Sequence, residues 1–281
     1  MSSTLRLAIQ TSMLPGAALD EKFHHAAAHG FDGVELNIPA DADLGAIVRA
    51  ADAASRQHGV PVSSFCTTGQ HDPLQPDAGE RARRFAVLTE LIEAADALGA
   101  AGIVSVPLRP ALGAYDGGDA ASGIAALTDD AVAAFGGWAT SVPSGTAAVF
   151  LEPLNRYEAR FLRRVEQAAE IARRIDSPRV RALGDTYHMN IEEADPGAAL
   201  REAGALLGHI HAADNTRFLP GAGCLDFQRA FGALREIGYA GWVALECAVP
   251  PGQVLMTDPA TELPATVAFL RDQWERAGRK S

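Results

Sequence analysis

Four apolar runs in the second half of the sequence each stop at a residue able to hold a metal ion. Residues 147–151 stop at Glu152, 180–184 at Asp185, 207–210 at His211 and 242–245 at Glu246. Three carboxylates and one imidazole make an oxygen-rich donor set. It suits one divalent ion, Mn²⁺ foremost and Mg²⁺ or Co²⁺ next, better than a thiolate-seeking metal. Zinc also takes imidazole and carboxylate ligands. Each residue alone has a plainer reading. Glu152 could cap the turn at Pro153, Asp185 could be a turn acid in Gly184-Asp185-Thr186, His211 a polar strand end, and Glu246 half of a salt bridge. Their recurrence at successive strand ends favours a shared metal.

For these residues to meet, the strands must lie parallel with their carboxyl ends on one rim. Strand-like runs occur at 5–11, 33–37, 60–67, 102–106, 147–152, 180–185, 207–211 and 242–246. Helical patterns follow them at 20–29, 44–57, 79–98, after 123 to 138, and at 160–175, 197–203, 227–237 and 261–277. Regular strand–helix alternation predicts an α/β protein with a parallel sheet. Eight such units predict a closed (β/α)₈ TIM barrel, a fold that carries its chemistry at the carboxyl ends of the strands. No boundary splits off a second unit, so a single domain over 1–281 is expected.

The composition can fill such a barrel. The chain has 281 residues, 48% apolar and 21% charged, enough for a large core. Its net charge of -11, from 24 Lys and Arg against 35 Asp and Glu, argues against capture of nucleic acid or of an anionic membrane. The first residues lack the apolar stretch of a secretory signal, and no run approaches the roughly 20 apolar residues that span a bilayer. Cys66, Cys224 and Cys247 form neither a CxxC pair nor a zinc-finger spacing. They read as reduced, buried thiols of a cytoplasmic protein.

Longer runs around the same positions carry a resemblance. They are Glu152-Pro153-Leu154-Asn155-Arg156-Tyr157-Glu158, Asp185-Thr186-Tyr187-His188-Met189-Asn190-Ile191-Glu192-Glu193, His209-Ile210-His211 with Asp214-Asn215-Thr216-Arg217, and Ala244-Leu245-Glu246. These runs resemble the xylose-isomerase-like sugar isomerase and epimerase superfamily, nearest its ketose 3-epimerases (the tagatose/psicose group). The resemblance spans essentially the whole chain and is most specific from Glu152 onward. It implies an isomerase of carbohydrate metabolism acting on a small sugar. Glu152, Asp185, His211 and Glu246 would hold one divalent ion, and Glu152 and Glu246 would also be the two acid/base groups. Glu158, His188 and Arg217 would contact substrate oxygens. Similar proteins are commonly homo-oligomers, though no residue pattern here fixes a dimer or tetramer.

The implied chemistry explains the residue types. Moving a proton at a carbon beside a carbonyl needs a Lewis acid and a stabilised enediolate. Inverting that carbon needs one base on each face, with pKa values tuned toward neutrality. Other readings remain open at this point. Arg217 could pair with Asp214, and His188 could support the metal from behind. A dehydratase or lyase acting on a 3-keto sugar or inosose would use the same metal and bases. A metal-dependent AP endonuclease shares the barrel but would want several metals and a basic face. A non-catalytic sugar-binding barrel fits poorly with two intact candidate bases.

The first half is less informative. Glu35 could face the pocket or a neighbouring strand and is not taken as catalytic. His71 reads as a solvated loop residue before a substrate contact. Residues 109–119 are Gly-rich and could form a lid. Pro220-Gly221-Ala222-Gly223 reads as a tight turn leading to Asp226 as a helix N-cap. The strand ends Ile9-Gln10-Thr11 and Val106-Pro107-Leu108 lack the aromatic residues that ketose epimerases often present to the sugar. That departure bears on the substrate more than on the reaction.

Overall fold

A computed structural model describes residues 4–67, 71–107, 120–248 and 254–279. Its strands are β1 (Arg6–Gln10), β2 (Gly33–Ile38), β3 (Val62–Thr67), β4 (Gly102–Ser105), β5 (Ala148–Leu151), β6 (Val180–Asp185), β7 (Leu207–Ala212) and β8 (Trp242–Leu245). They pair in chain order, all parallel, and β8 closes on β1. The outer ring is α1 (Leu19–Ala28), α2 (Leu44–His58), α3 (Ala78–Ala97), α4 (Ala120–Ser141), α5 (Val165–Ile175), α6 (Thr186–Glu192), α7 (Pro196–Ala203), α8 (Phe227–Glu236) and α9 (Pro259–Ala277). The chain thus forms the (β/α)₈ barrel that its alternating pattern predicts. No described helix is long and apolar enough to cross a membrane.

Strands of a parallel barrel are covered on both faces, so they read as continuous apolar runs rather than alternating ones. The four residues of β5 are accordingly all buried. The helices carry one apolar face. In α5, Val165, Ala168, Ala169, Ile171 and Ala172 are buried at helical spacing. Asp43, Asp77, Asp195 and Asp226 open α2, α3, α7 and α8, each accepting the backbone N–H three residues on. Each such cap contributes about 1 kcal/mol. Asp226 is the cap its sequence context predicts.

Three local features differ from the sequence expectation. α6 follows β6 directly, where only the helix at 197–203 was expected, because two turns are too short to show a period. α5 begins at Val165 rather than at 160; the intervening residues form a loop pinned by Gln167, whose side chain accepts from the Arg163 and Arg164 amides at 2.9 and 3.0 Å. Cys224 is exposed, whereas Cys66 and Cys247 are buried as expected. The proposed lid at 109–119 lies outside the described residues.

Alternate residues of a strand share a face, so the barrel interior is layered. Phe150 lies beneath Glu152 on β5, Leu183 beneath Asp185 on β6, and Ala244 beneath Glu246 at the end of β8. One step lower come Arg181 on β6 and Trp242 on β8. The Phe150 ring stacks on the His209 ring, centroids 5.1 Å apart and planes 7° from parallel. Gly102 and Gly208 make room for it, since a Cβ at either would stand 2.8 or 2.6 Å from the ring.

Candidate active site

The upper rim brings Glu152, Asp185, His211 and Glu246 together, with one ligand atom of each within 4.8 Å of the others. His211 Nδ1 stands 3.1 Å from Glu152 Oε1, 3.0 Å from Glu246 Oε2 and 3.9 Å from Asp185 Oδ2. Glu152, Asp185 and His211 are buried, while 16% of the Glu246 side chain is exposed. The cluster therefore opens toward solvent on the β8 side.

Asp185 divides its two oxygens. Oδ1 caps α6, accepting from the Tyr187 and His188 amides at 2.7 and 3.1 Å. Oδ2 is buried without a hydrogen-bond partner among the described residues. The turn-acid reading is therefore correct for one oxygen and leaves the other aimed into the cluster. A buried, unpartnered carboxylate oxygen among other carboxylates is costly unless a cation joins them. The donor set and this orphaned oxygen fit one divalent ion.

The electrostatics carry the same imprint. Burial and the charge of Glu246 push the Glu152 carboxyl up. Burial, with Glu246 and Glu152, pushes Asp185 well up. Burial alone would lower His211, but the charges of Glu246, Glu35 and Glu152 outweigh it and hold the imidazole well above its usual value. For Glu246, burial is overcome by His211 and Arg217, which hold it well below the carboxylate range. Too much negative charge is gathered here for the protein's own cations.

Glu35 proves central, although the sequence offered no role for it. It is fully buried on β2. One oxygen receives His211 Nε2 at 3.0 Å and the Gln10 amide at 3.0 Å; the other receives His209 Nε2 at 2.8 Å and the Ser64 hydroxyl at 2.6 Å. By holding Nε2–H of His211, Glu35 would leave Nδ1, which faces the cluster, as the nitrogen that gives up its proton to ligate a cation, as in carboxylate–histidine–metal arrangements. Gln10 also donates to Glu246 Oε1 at 2.9 Å, tying the first strand to the last. Glu35, His209 and His211 form a second group with metal-compatible spacing. There the carboxylate is already satisfied by four donors. The available signal was an acid inside an otherwise apolar strand, Val34-Glu35-Leu36.

The two long sequence runs dock onto each other. Asn155 donates its backbone N–H to His188 Nδ1 at 3.1 Å, and its side-chain amide lies 2.8 Å from the same nitrogen. Arg156 pairs with Glu192 at 2.8 Å. Asn155 and Arg217 both donate to Glu158 Oε1, at 3.1 and 3.0 Å. Burial and the neighbouring Arg217 lower His188 to about 4, so its ring is neutral. With Nδ1 accepting, the proton sits on Nε2, which is buried and has no partner among the described residues. His188 is thus a neutral N–H donor in reserve.

Arg217 extends over the Tyr187 ring, 4.9 Å from its centroid, and reaches within 4.0 Å of Glu246 Oε2. It adopts φ +63°, an unusual value for a residue with a side chain. Its guanidinium pairs with Glu158 rather than with Asp214. The Asp214 carboxylate instead accepts from the amides of Asn215, Gly221 and Leu225, shaping the Pro-Gly-Ala-Gly turn. His71 is buried, not solvated.

The model of the family described as xylose isomerase-like TIM barrel matches residues 23–273. Among curated proteins, the chain is 33% identical over 263 residues to 3-dehydro-D-guloside 4-epimerase of Escherichia coli K12, covering 89% of this chain and 93% of that protein. It is 30% identical over 223 residues to L-ribulose 3-epimerase of Mesorhizobium japonicum, covering 77% of this chain and 71% of that one. Among solved structures, 3-keto-D-glucoside 4-epimerase from E. coli superposes with a TM-score of 0.80 at 28% identity, covering 96% of this chain and all of the other.

Proposed function

The chain belongs to the xylose isomerase-like TIM barrel family, and we propose that it is a divalent-metal-dependent sugar epimerase, Mn²⁺ being the expected ion. The reaction inverts a carbon beside a carbonyl, through an enediolate, with Glu152 and Glu246 as the opposed acid/base pair. The observation that carries this reading is the convergence of Glu152, Asp185, His211 and Glu246 within 4.8 Å. A bound divalent ion would supply Lewis-acid polarisation of the carbonyl oxygen.

The protein's own groups divide the remaining work. Glu152 and Glu246 come from β5 and β8, the outer two of the four contributing strands, so a sugar carbon between them has a carboxylate on either side. One carboxylate takes the proton from one face and the other returns a proton to the opposite face. His188 Nε2–H is a neutral donor for a sugar oxygen that gains negative charge. Arg217 and Glu158, already paired, offer a donor and an acceptor to sugar hydroxyls.

Two positions of proton transfer share this chemistry. In a ketose 3-epimerase the inverted carbon is C3, beside a C2 carbonyl; in a 3-keto glycoside 4-epimerase it is C4, beside a C3 carbonyl. The second reading is favoured by the E. coli 4-epimerase, which matches 89% of this chain. The test is incubation of the Mn²⁺-loaded protein with ketoses, 3-keto glycosides and inososes in deuterated water. Deuterium at the carbon beside the carbonyl, in a product of the substrate's own skeleton, supports the epimerase. A product lighter by water replaces it with a lyase, and the absence of exchange with every compound refutes both.

A further inference from the structure

The opposite end of the barrel is hollow. A cavity of about 560 Å³ opens at the amino-terminal mouth, and none of the residues of the upper cluster lines it. Phe150 and Trp242 form part of its roof, with small residues such as Ala101, Ala148 and Gly241 around them. Its only charged lining groups among the described residues are Arg6 and Arg181. In a chain with 35 acidic and 24 basic side chains, a mouth lined by two guanidiniums and no carboxylate is an unusual local field.

Both guanidiniums are held by something other than a counter-ion. Arg6 lies over the Trp242 ring, its Cζ 3.8 Å from the centroid. Arg181 donates through one terminal nitrogen to the carbonyls of Ala205 and Leu207, the latter at 3.1 Å. Its Nε is buried and has no partner among the described residues. No described carboxylate pairs with either arginine. Two guanidiniums held without a carboxylate partner among the described residues, around a cavity large enough for a small metabolite, make a receptor for an oxyanion.

We infer that the amino-terminal mouth of the barrel is a second ligand site, which binds a small oxyanion-bearing metabolite through Arg6 and Arg181. Phosphate groups and clustered carboxylates share the chemistry that these arginines recognise. The metal-loaded protein is titrated calorimetrically with inorganic pyrophosphate and, separately, with citrate, at ionic strength held constant with potassium chloride. At least one of the two is expected to bind saturably with one site per chain, and which one binds separates a phosphorylated ligand from a polycarboxylate. Arg6→Gln should weaken that binding at least tenfold while leaving epimerase turnover unchanged. Because Arg181 also ties down Ala205 and Leu207, Arg181→Gln is paired with Ala101→Leu, which fills the cavity without removing a charge and should abolish binding in a folded protein. Absence of saturable binding by both anions, or binding that survives both Arg6→Gln and Ala101→Leu, overturns the inference.

Discussion

Glu35 accepts a hydrogen bond from Nε2 of His211 at 3.0 Å, fixing which nitrogen of that ring faces the upper cluster. A carboxylate behind a ligating histidine typically accounts for 10–100-fold in metal affinity. Glu35→Gln keeps the shape of the side chain but replaces one acceptor by a donor. It is expected to weaken Mn²⁺ binding by about 10–100-fold, with turnover recovering at high Mn²⁺. Unchanged affinity in a metal titration would remove Glu35 from this role.

His188 is expected to act on the substrate and not on the metal, since its Nδ1 is occupied by Asn155 and its Nε2–H has no partner among the described residues. His188→Ala should lower kcat by about 10²–10³, the usual cost of one donor to a developing oxyanion. Mn²⁺ affinity should stay within a factor of two or so of wild type. A parallel loss of metal would return His188 to a supporting position behind the ion.

Removal of the metal with EDTA should abolish turnover, and Mn²⁺ should restore it. Glu152→Gln and Glu246→Gln, assayed at saturating Mn²⁺, should each cost about 10²–10⁴ in kcat, as expected for loss of a general acid or base. Solvent deuterium exchange measured from each epimer separately reports which face each glutamate serves. Equal residual exchange from both epimers in both variants would contradict the two-base arrangement.

Stability should depend on pH through Asp96, far from the site. Burial tends to raise this carboxyl, but hydrogen bonds from the Ala147 amide, Arg179 and the Thr146 amide outweigh it and lower it. A folded-state pKa below the unfolded one contributes stability above the unfolded value and loses it as pH falls through the folded one. Asp96→Asn should therefore destabilise by about 1–3 kcal/mol near neutral pH, and the difference in Tm should shrink below about pH 4. A Tm difference independent of pH would show that the charge is not what matters.

The barrel was legible because β–α alternation and uninterrupted apolar strands are local signals. The four residues of the upper cluster were legible for a related reason: each interrupts or follows an apolar run on the rim where such barrels place their chemistry. Glu35 was not, because its importance depends on register. Only when β1, β2 and β7 are assembled does it become clear that this acid lies under His211 and beside Gln10. Asp185 could be read as a turn acid or as a ligand, and the two readings fall on different oxygens: Oδ1 caps α6, while Oδ2 is buried with no hydrogen-bond partner among the described residues. α6 escaped for want of length. The partner of Arg217 escaped because Asp214 is nearer in sequence while Glu158 is nearer in space.

The stacked rings of Phe150 and His209 join the two ends of the barrel, for Phe150 lines the lower cavity and His209 lies 2.8 Å from Glu35. The lower cavity and the upper cluster share no residue. An occupant of the lower mouth would therefore not compete for the space of the upper cluster. Contacts link the two ends from Phe150 through His209 and Glu35 to His211.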